Sequence, residues 1–415
     1  MLSDEFITKI EGHGSLTVDW QGEQVKLNIF EGERLFEGML VGRTAEEMHW
    51  ITPRICGVCP VAHNMASVRT TETALGIKPK KQTVLLRQLM MMGQMIQSHA
   101  LHLFFLSLPD YLGIDRGTEL AQKNPEAFKS ALALKELSDY IVKLVGGRSI
   151  HPVASTVGGF HQLPSHDELY KLNEKIKETR KDAKAAADLC ASLEYPNIQA
   201  DLELLAQTKS EKPEEFSVYE SEYIVSNNGE TSSVEEYKQV IEEDIKEYST
   251  AKFGSYKGRE VLVGSLARIA IQANFLNDEA KPYLDKVDFN NPYHNNLAQG
   301  IEVLHFHIEA QNLTEQLLSS SLSDQNVKPA KNPPLKGIGA VEAPRGGLYH
   351  EIELDKDGII KEANIITPTV QNLTSIEKSA QAVLSQTKNL PQKERERLLN
   401  MLVRAYDPCI TCSVH

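Results

Sequence analysis

The chain of 415 residues carries 44 Lys and Arg against 57 Asp and Glu, a formal net charge of −13 at pH 7. That balance repels phosphate backbones and argues against a nucleic-acid partner. A content of 41% hydrophobic and 24% charged residues is ordinary for a globular enzyme and excludes disorder or fibre as a description of the whole. The opening MLSDEFITKI lacks a basic region followed by an apolar run, and no uninterrupted apolar stretch of about 18 residues occurs. Neither a signal peptide nor a membrane span is expected, and the expected location is cytoplasmic.

Residues 15–30 read as a hairpin, with Val25, Leu27 and Ile29 alternating with polar residues and Gln21-Gly22 as the turn. Thr44 and Glu47 form a capping-box pattern for a short helix that Pro53 is expected to end. A second helix should start at Pro60 and close at Gly76. Residues 83–108 are apolar on nearly every face, with Met90, Met91, Met92 and Met95 among them, as in a helix wholly inside a bundle. Ser165 and Glu168 cap a long helix over residues 165–193. Residues 210–248, rich in Glu, Ser and Lys, read as a peripheral insertion. A third long helix is expected over 296–322, then a hairpin of 349–354 with 359–366 joined by Asp355-Lys356-Asp357-Gly358, and a last helix over 391–406.

Five cysteines occur, and four of them form two CxxC pairs, Cys56 with Cys59 and Cys409 with Cys412. An odd, sparse set in a long chain without a secretion signal points to a reducing compartment and against a disulfide framework. Four thiolates in themselves fit a structural zinc site, but such sites commonly leave only about 12 to 20 residues between pairs. Here residues 60–408 intervene, so a shared site would tie the two ends of the chain together. A soft four-sulfur set equally suits nickel or iron-sulfur chemistry. Cys190, in a helical context, reads as a packing residue.

The surroundings of the two pairs are informative. Arg54-Ile55-Cys56-Gly57-Val58-Cys59-Pro60-Val61-Ala62-His63 and Asp407-Pro408-Cys409-Ile410-Thr411-Cys412-Ser413-Val414-His415 resemble the two signature motifs of the nickel-iron hydrogenase large subunit. The resemblance extends through Ile10-Glu11-Gly12-His13, Leu35-Phe36-Glu37-Gly38 and Glu342-Ala343-Pro344-Arg345-Gly346-Gly347, and so spans nearly the whole chain.

The resemblance implies a catalytic subunit that oxidises H2 reversibly to two protons and two electrons. The centre it implies has nickel held by four cysteines and iron carrying two cyanides and one carbon monoxide. Cys56 and Cys409 would be terminal nickel ligands, with Cys59 and Cys412 bridging nickel to iron. Cys409 would act as the base when H2 splits, and Glu11 would relay the proton from it. Arg345 would place its guanidinium over the metals, with Pro344 beside it and Asp407 paired near it. Thr369 would donate to a cyanide and His63 to a bridging sulfur. Glu37 and His415 would hold a magnesium-like ion, with a main-chain carbonyl of residues 364–366 as a further ligand. Judged by side-chain type alone, Glu11 is an exposed hairpin-start carboxylate, Arg345 a surface arginine and His63 a core histidine. Ser98 departs from the aspartate that oxygen-tolerant and membrane-linked relatives commonly carry there, which alters the charge near the metals. His99 and His102, three apart on the core helix, could join a hydrogen-bond network, with packing as their leading role.

No further cysteine set remains for an electron relay, so the electrons must leave through a partner. The resemblance implies an iron-sulfur small subunit, and further electron-transfer subunits of a diaphorase-like or disulfide-reductase-like kind passing electrons to a soluble acceptor such as NAD(P). The stop at His415 resembles the processed form of family precursors. Two alternatives stand beside this reading: a zinc-stapled scaffold, and a redox-inactive relative like the quinone-site subunit of respiratory complex I, which lacks the cysteine quartet. The expected fold is mainly α (α+β), a large helical-bundle core with small β-hairpins near both ends. It forms one unit over residues 1–415, because residues 56 and 412 must meet.

Overall fold

The computed structural model describes residues 2–323 and 326–415, and 50% of the residues are helical against 18% in strands. Helix α1 (Pro60–Leu75) starts at a proline whose missing N–H is no loss in a first turn and closes at Gly76, where φ is 64°. Helix α2 (Lys81–Leu101) buries Met90, Met91, Met92 and Met95. One widened π turn, His102–Ser107, then carries the chain into Leu108–Leu112, so the expected core helix changes its winding at His102. Helix α3 (Pro125–Gly146) is capped by Asn124, whose side chain accepts from Ala127 N. Helix α4 (His166–Ser192) carries the expected reciprocal Ser165 and Glu168 box. The short buried helix α5 (Ser265–Gln272) and the long α6 (Asn295–Leu318) follow.

Helices α2, α3, α4 and α6 form a ring: α2 packs on α3, α3 on α4, α4 on α6 and α6 on α2. Each therefore hides more than one face, which is why their sequences are apolar or small over so much of their surface. Gly300 of α6 admits Cys190 of α4, since a Cβ on that glycine would stand 2.7 Å from Cys190 Cβ. Burial pushes the Cys190 thiol up to about 12, as suits an inert packing residue.

The expected hairpin of β2 (Gly14–Asp19) and β3 (Gln24–Ile29) gains an outer strand, β1 (Leu2–Phe6). Thr44 and Glu47 start a 3-10 turn and a one-turn helix, Met48–Ile51. Pro53 does not end the winding there. It sits in the first turn of a further segment, Thr52–Ile55, a position that needs no N–H from it. Strand β4 (Glu203–Thr208) pairs with β5 (Tyr223–Ser226), and β5 with β6 (Thr231–Ser233). Strands β7 (Ile241–Ile245) and β8 (Lys252–Tyr256) form an antiparallel pair, and β9 (Val261–Val263) runs parallel to β4. Residues 210–248 thus carry β5, β6 and β7, and their Ile224, Val234, Tyr237, Val240 and Ile241 lie in a second apolar cluster with Tyr349. Strands β10 (Lys336–Ala343), β11 (Gly346–Leu354) and β12 (Ile360–Ile366) form the C-terminal sheet, of which β11 and β12 are the expected hairpin. Helices α7 (Pro368–Gln386) and α8 (Gln392–Ala405) lead to the tail. No helix among the described residues is long and apolar enough to cross a membrane.

This arrangement brings the start of α1, the β10–β11 turn, the start of α7 and the tail after α8 to one place. Helix α1 lies directly on β10 and β11. The contact is closest at Gly339, where a Cβ would stand 2.4 Å from Thr70 N and 2.6 Å from Ala66 O, backbone atoms that cannot turn aside. Gly339→Ala is therefore expected to lower stability by about 2 kcal/mol. The urea midpoint measures this, and an unchanged midpoint would reveal slack between α1 and β10.

Candidate metal centre

The first cysteine pair lies on the loop entering α1. Gln94 of α2 braces it, accepting from Val61 N at 3.0 Å and donating from Nε2 to Val58 O at 2.7 Å. The second pair lies on the tail, which runs beside residue 11. Ile410 N donates to Glu11 O at 3.0 Å, and Gly12, with φ of +86°, leaves room that a Cβ would close to 2.6 Å from Ile410 Cβ. Arg34 clasps both loops, its Nη2 donating to Ile55 O at 2.7 Å and to Thr411 O. Thr367 Oγ1 donates to Cys412 O at 3.1 Å.

The four sulfurs converge. Cys56 and Cys409 Sγ are 3.2 Å apart, Cys59 and Cys412 Sγ 3.5 Å, and Cys409 and Cys412 Sγ 2.9 Å. All four are buried, none is in a disulfide, and all lie within 4.8 Å of one another. Two sulfurs each about 2.3 Å from one metal are at most about 4.6 Å apart, so the spread suits ligands of one ion or of two adjoining ions. Hydrogen bonds from Cys409 and Cys412, aided by the Arg345 charge, hold the Cys56 thiol well below its usual range. Burial pushes Cys409 and Cys412 well above it.

The other expected site residues gather around this tetrad. Glu11 Oε1 accepts from Thr411 Oγ1 at 2.5 Å and its Oε2 from Thr411 N at 3.1 Å, while Thr411 Oγ1 lies 3.9 Å from Cys409 Sγ. Arg345 donates from Nη2 to Asp407 Oδ1 at 2.8 Å and from Nε to Asp407 O at 2.7 Å. Its charge is felt by Cys409, Cys59 and Cys56, yet its Nη1 is buried without a hydrogen-bond partner. A donor left over beside four buried sulfurs, which as thiolates are soft metal ligands, fits a metal carrying an acceptor ligand.

Thr369 Oγ1 accepts from Cys409 N at 2.9 Å, and Pro344 O accepts from Arg268 Nη2 at 2.9 Å. His63 Nε2 stands 3.7 Å from Cys412 Sγ, and its Nδ1 lies 3.2 Å from His350 Nε2. Glu37 and His415 meet at one residue: Ile365 N donates to Glu37 Oε1 at 2.7 Å, and Ile365 O lies 2.7 Å from His415 Nε2. Ser98 is buried with no partner for its hydroxyl. His99 and His102 do more than fill space. His99 Nε2 is 2.9 Å from Glu302 Oε2, and His102 reaches Gln299 Oε1 at 2.5 Å and Arg404 O at 2.7 Å. Gln299 Nε2 in turn donates to Asp407 Oδ2 at 3.2 Å. Sequence reasoning missed Thr411, Arg34 and Gln299. Only Thr411 carried a signal, as the hydroxyl inside the second CxxC pair.

Residues 34–135 and 198–415 match the model of the nickel-dependent hydrogenases. The chain belongs to the nickel-dependent hydrogenase family. This hydrogenase chain is similar to the alpha subunit of sulfhydrogenase 1 of Pyrococcus furiosus, 34% identical with 99% of the chain and 97% of the relative covered. It is 31% identical to a subunit of the F420-non-reducing hydrogenase of Methanothermobacter marburgensis, covering 100% of the chain and 94% of the relative. Its fold superposes on a solved NAD+-reducing [NiFe]-hydrogenase in the H2-reduced state with a TM-score of 0.88 at 24% identity, covering 100% of the chain and 99% of that structure. The hydrogenase is thus an oxidoreductase acting on H2, a large subunit whose relatives work in multi-subunit enzymes, and its tetrad fits nickel and iron. Membership sets aside both the zinc-stapled scaffold and the redox-inactive relative.

Removing the charge of Asp407 would leave the buried Arg345 guanidinium without its counter-ion. Asp407→Asn is expected to destabilise the hydrogenase chain by about 3 kcal/mol. Urea unfolding measures the loss, and a change below about 1 kcal/mol would show that Arg345 finds other support.

Proposed function

We propose that Cys56 and Cys409 are terminal ligands of nickel, and that Cys59 and Cys412 bridge it to an iron carrying two cyanides and one carbon monoxide. A nickel-iron pair held by these four sulfurs would supply the heterolytic cleavage of H2 and the sink for its two electrons. The observation that carries this reading is the hydrogen-bonded way out from Cys409. A proton held at Cys409 Sγ has the Thr411 hydroxyl 3.9 Å away, and that hydroxyl donates to Glu11 Oε1 at 2.5 Å. Glu11 is half-buried, so its carboxylate joins the buried sulfur to the outside.

The remaining residues orient and neutralise. Arg345, held by Asp407, offers its free Nη1 to an acceptor on the metals. Thr369 accepts from Cys409 N, which leaves its own O–H to donate to a cyanide. Pro344 fixes the backbone before Arg345. His63 is the hydrogen-bond partner of the Cys412 sulfur and so restrains a bridging ligand. His415 Nδ1 lies 2.7 Å from Cys412 O and its Nε2 2.7 Å from Ile365 O. Glu37 Oε1 and His415 Nε2 both lie at Ile365, and a carboxylate, an imidazole and a main-chain carbonyl gathered there suit a shared magnesium-like ion.

Among the described residues the tetrad is the only group of three or more Cys, His, Asp or Glu side chains close enough to share a metal, and it is taken up by the catalytic centre, so the electrons need a second protein. An iron-sulfur small subunit, leading on to a diaphorase-like or disulfide-reductase-like module and a soluble acceptor such as NAD(P), fits this need. Arg54 and Gly57, on the loop of the first cysteine pair, are exposed and leave that side open to such a partner. A cytoplasmic location suits these acceptors.

The purified complex should contain nickel and iron and show infrared bands of bound cyanide and carbon monoxide. Zinc alone, or metals without those bands, overturns the assignment. Glu11→Gln should keep metal content and infrared bands while slowing H2 turnover about 100-fold. Turnover equal to that of the unaltered enzyme would remove Glu11 from the proton route.

A further inference from the structure

A second buried ion network stands directly behind Arg345. Arg268 of α5 has no exposed side-chain surface, nor have Glu302 of α6 and Glu342 of β10. Arg268 Nε and Nη2 lie 2.7 Å from the two oxygens of Glu302, fork against carboxylate, and Nη1 lies 2.8 Å from Glu342 Oε2. The remaining donor capacity goes mostly to backbone: Nη1 to Ala343 O and Nη2 to Pro344 O, both at 2.9 Å, besides Ser265 Oγ at 3.1 Å. Those two carbonyls are the last before Arg345. Beyond the turn, the backbone is seated just as closely. A Cβ on Gly264 would stand 3.1 Å from Arg345 O, and one on Gly346 would stand 2.5 Å from Val263 Cγ2. Among the described residues Arg345 has Asp407 as its only side-chain hold, with Nη1 unpartnered, so its place depends on where the backbone presents it.

We propose that Arg268 is a positioning residue for Arg345: its guanidinium clamps the Ala343 and Pro344 carbonyls and thereby sets where the Arg345 guanidinium stands beside the four sulfurs. The two carboxylates are parts of the clamp. They supply the countercharge and, by occupying the fork, aim the leftover N–H bonds at the two carbonyls. His99 Nε2, 2.9 Å from Glu302 Oε2, restrains that carboxylate from α2. A guanidinium offers five N–H donors in one plane and an ammonium three from a point, so lysine at 268 keeps the charge and loses the clamp. The inference rests on the role given to Arg345 above.

The test is a double-mutant cycle of Arg268→Lys and Arg345→Lys in the assembled, metal-loaded enzyme, reading kcat and KM for H2. Arg268→Lys alone should lower kcat about tenfold with KM nearly unchanged. Added to Arg345→Lys it should cause little further loss, because it acts through a side chain already replaced. Losses that multiply across the two substitutions overturn the proposal. A second arm needs no metal: in the full chain, Arg268→Lys should accelerate amide hydrogen exchange locally at residues 343 and 345–347. Unchanged exchange there, or a uniform acceleration over the whole chain, overturns it, and this holds whether or not the nickel-iron assignment stands. Should the lysine variant fail to fold, Glu302→Gln, which breaks the fork while keeping its shape, is expected to give the same local exchange signature.

Discussion

Anionic sulfurs repel one another, and four of them buried within 4.8 Å persist only as thiols or around cations. Much of the surrounding architecture answers that constraint. The loop ahead of α1 brings one pair, the tail brings the other, and Arg34 bonds to carbonyls of both loops, so backbone geometry rather than attraction between the sulfurs keeps them together. Within the tetrad the sulfurs are not equivalent: hydrogen bonds from Cys409 and Cys412 and the Arg345 charge lower the Cys56 thiol, while burial raises Cys409 and Cys412.

Around the tetrad, charge is handled by arginines. Burial alone would raise Glu302, yet the Arg268 guanidinium and its hydrogen bonds carry that carboxyl down to about 2. Glu342, sharing the same arginine, is raised by its burial. One cation thus fully supports one carboxylate and only partly a second, which is what a site closed to solvent permits. The same economy governs Arg345, whose single carboxylate partner Asp407 is itself tied through Gln299 to His102.

What could be read in advance followed local rules. The Gly76 cap, the Ser165 and Glu168 box, the all-round apolar run of α2 and the β11–β12 turn are each decided by residues within one or two turns of chain. Helix α3 went unread although Asn124-Pro125 and Gly147 mark both its ends. Strand β9 left no such mark, because its parallel pairing with β4 joins segments that only the finished fold brings together. In the site, the cysteine pairs and their flanking motifs were legible. Arg34, Gln94, Gln299, His350 and Arg268 were not, since a buried hydrogen-bond partner is chosen by tertiary geometry and leaves no spacing in the sequence. Pro53 shows the limit of a local rule: proline stops a helix only where its N–H is needed.

The separation of Cys59 from Cys412 by 353 positions also has a meaning in time. At about 5 to 20 residues per second of synthesis, the first cysteine pair emerges roughly 20 to 70 s before the second. Throughout that interval it is half a site, two thiols without the tail that encloses them. The tetrad therefore cannot be complete before residue 412 has been made, however early the first pair and the helices around it have emerged.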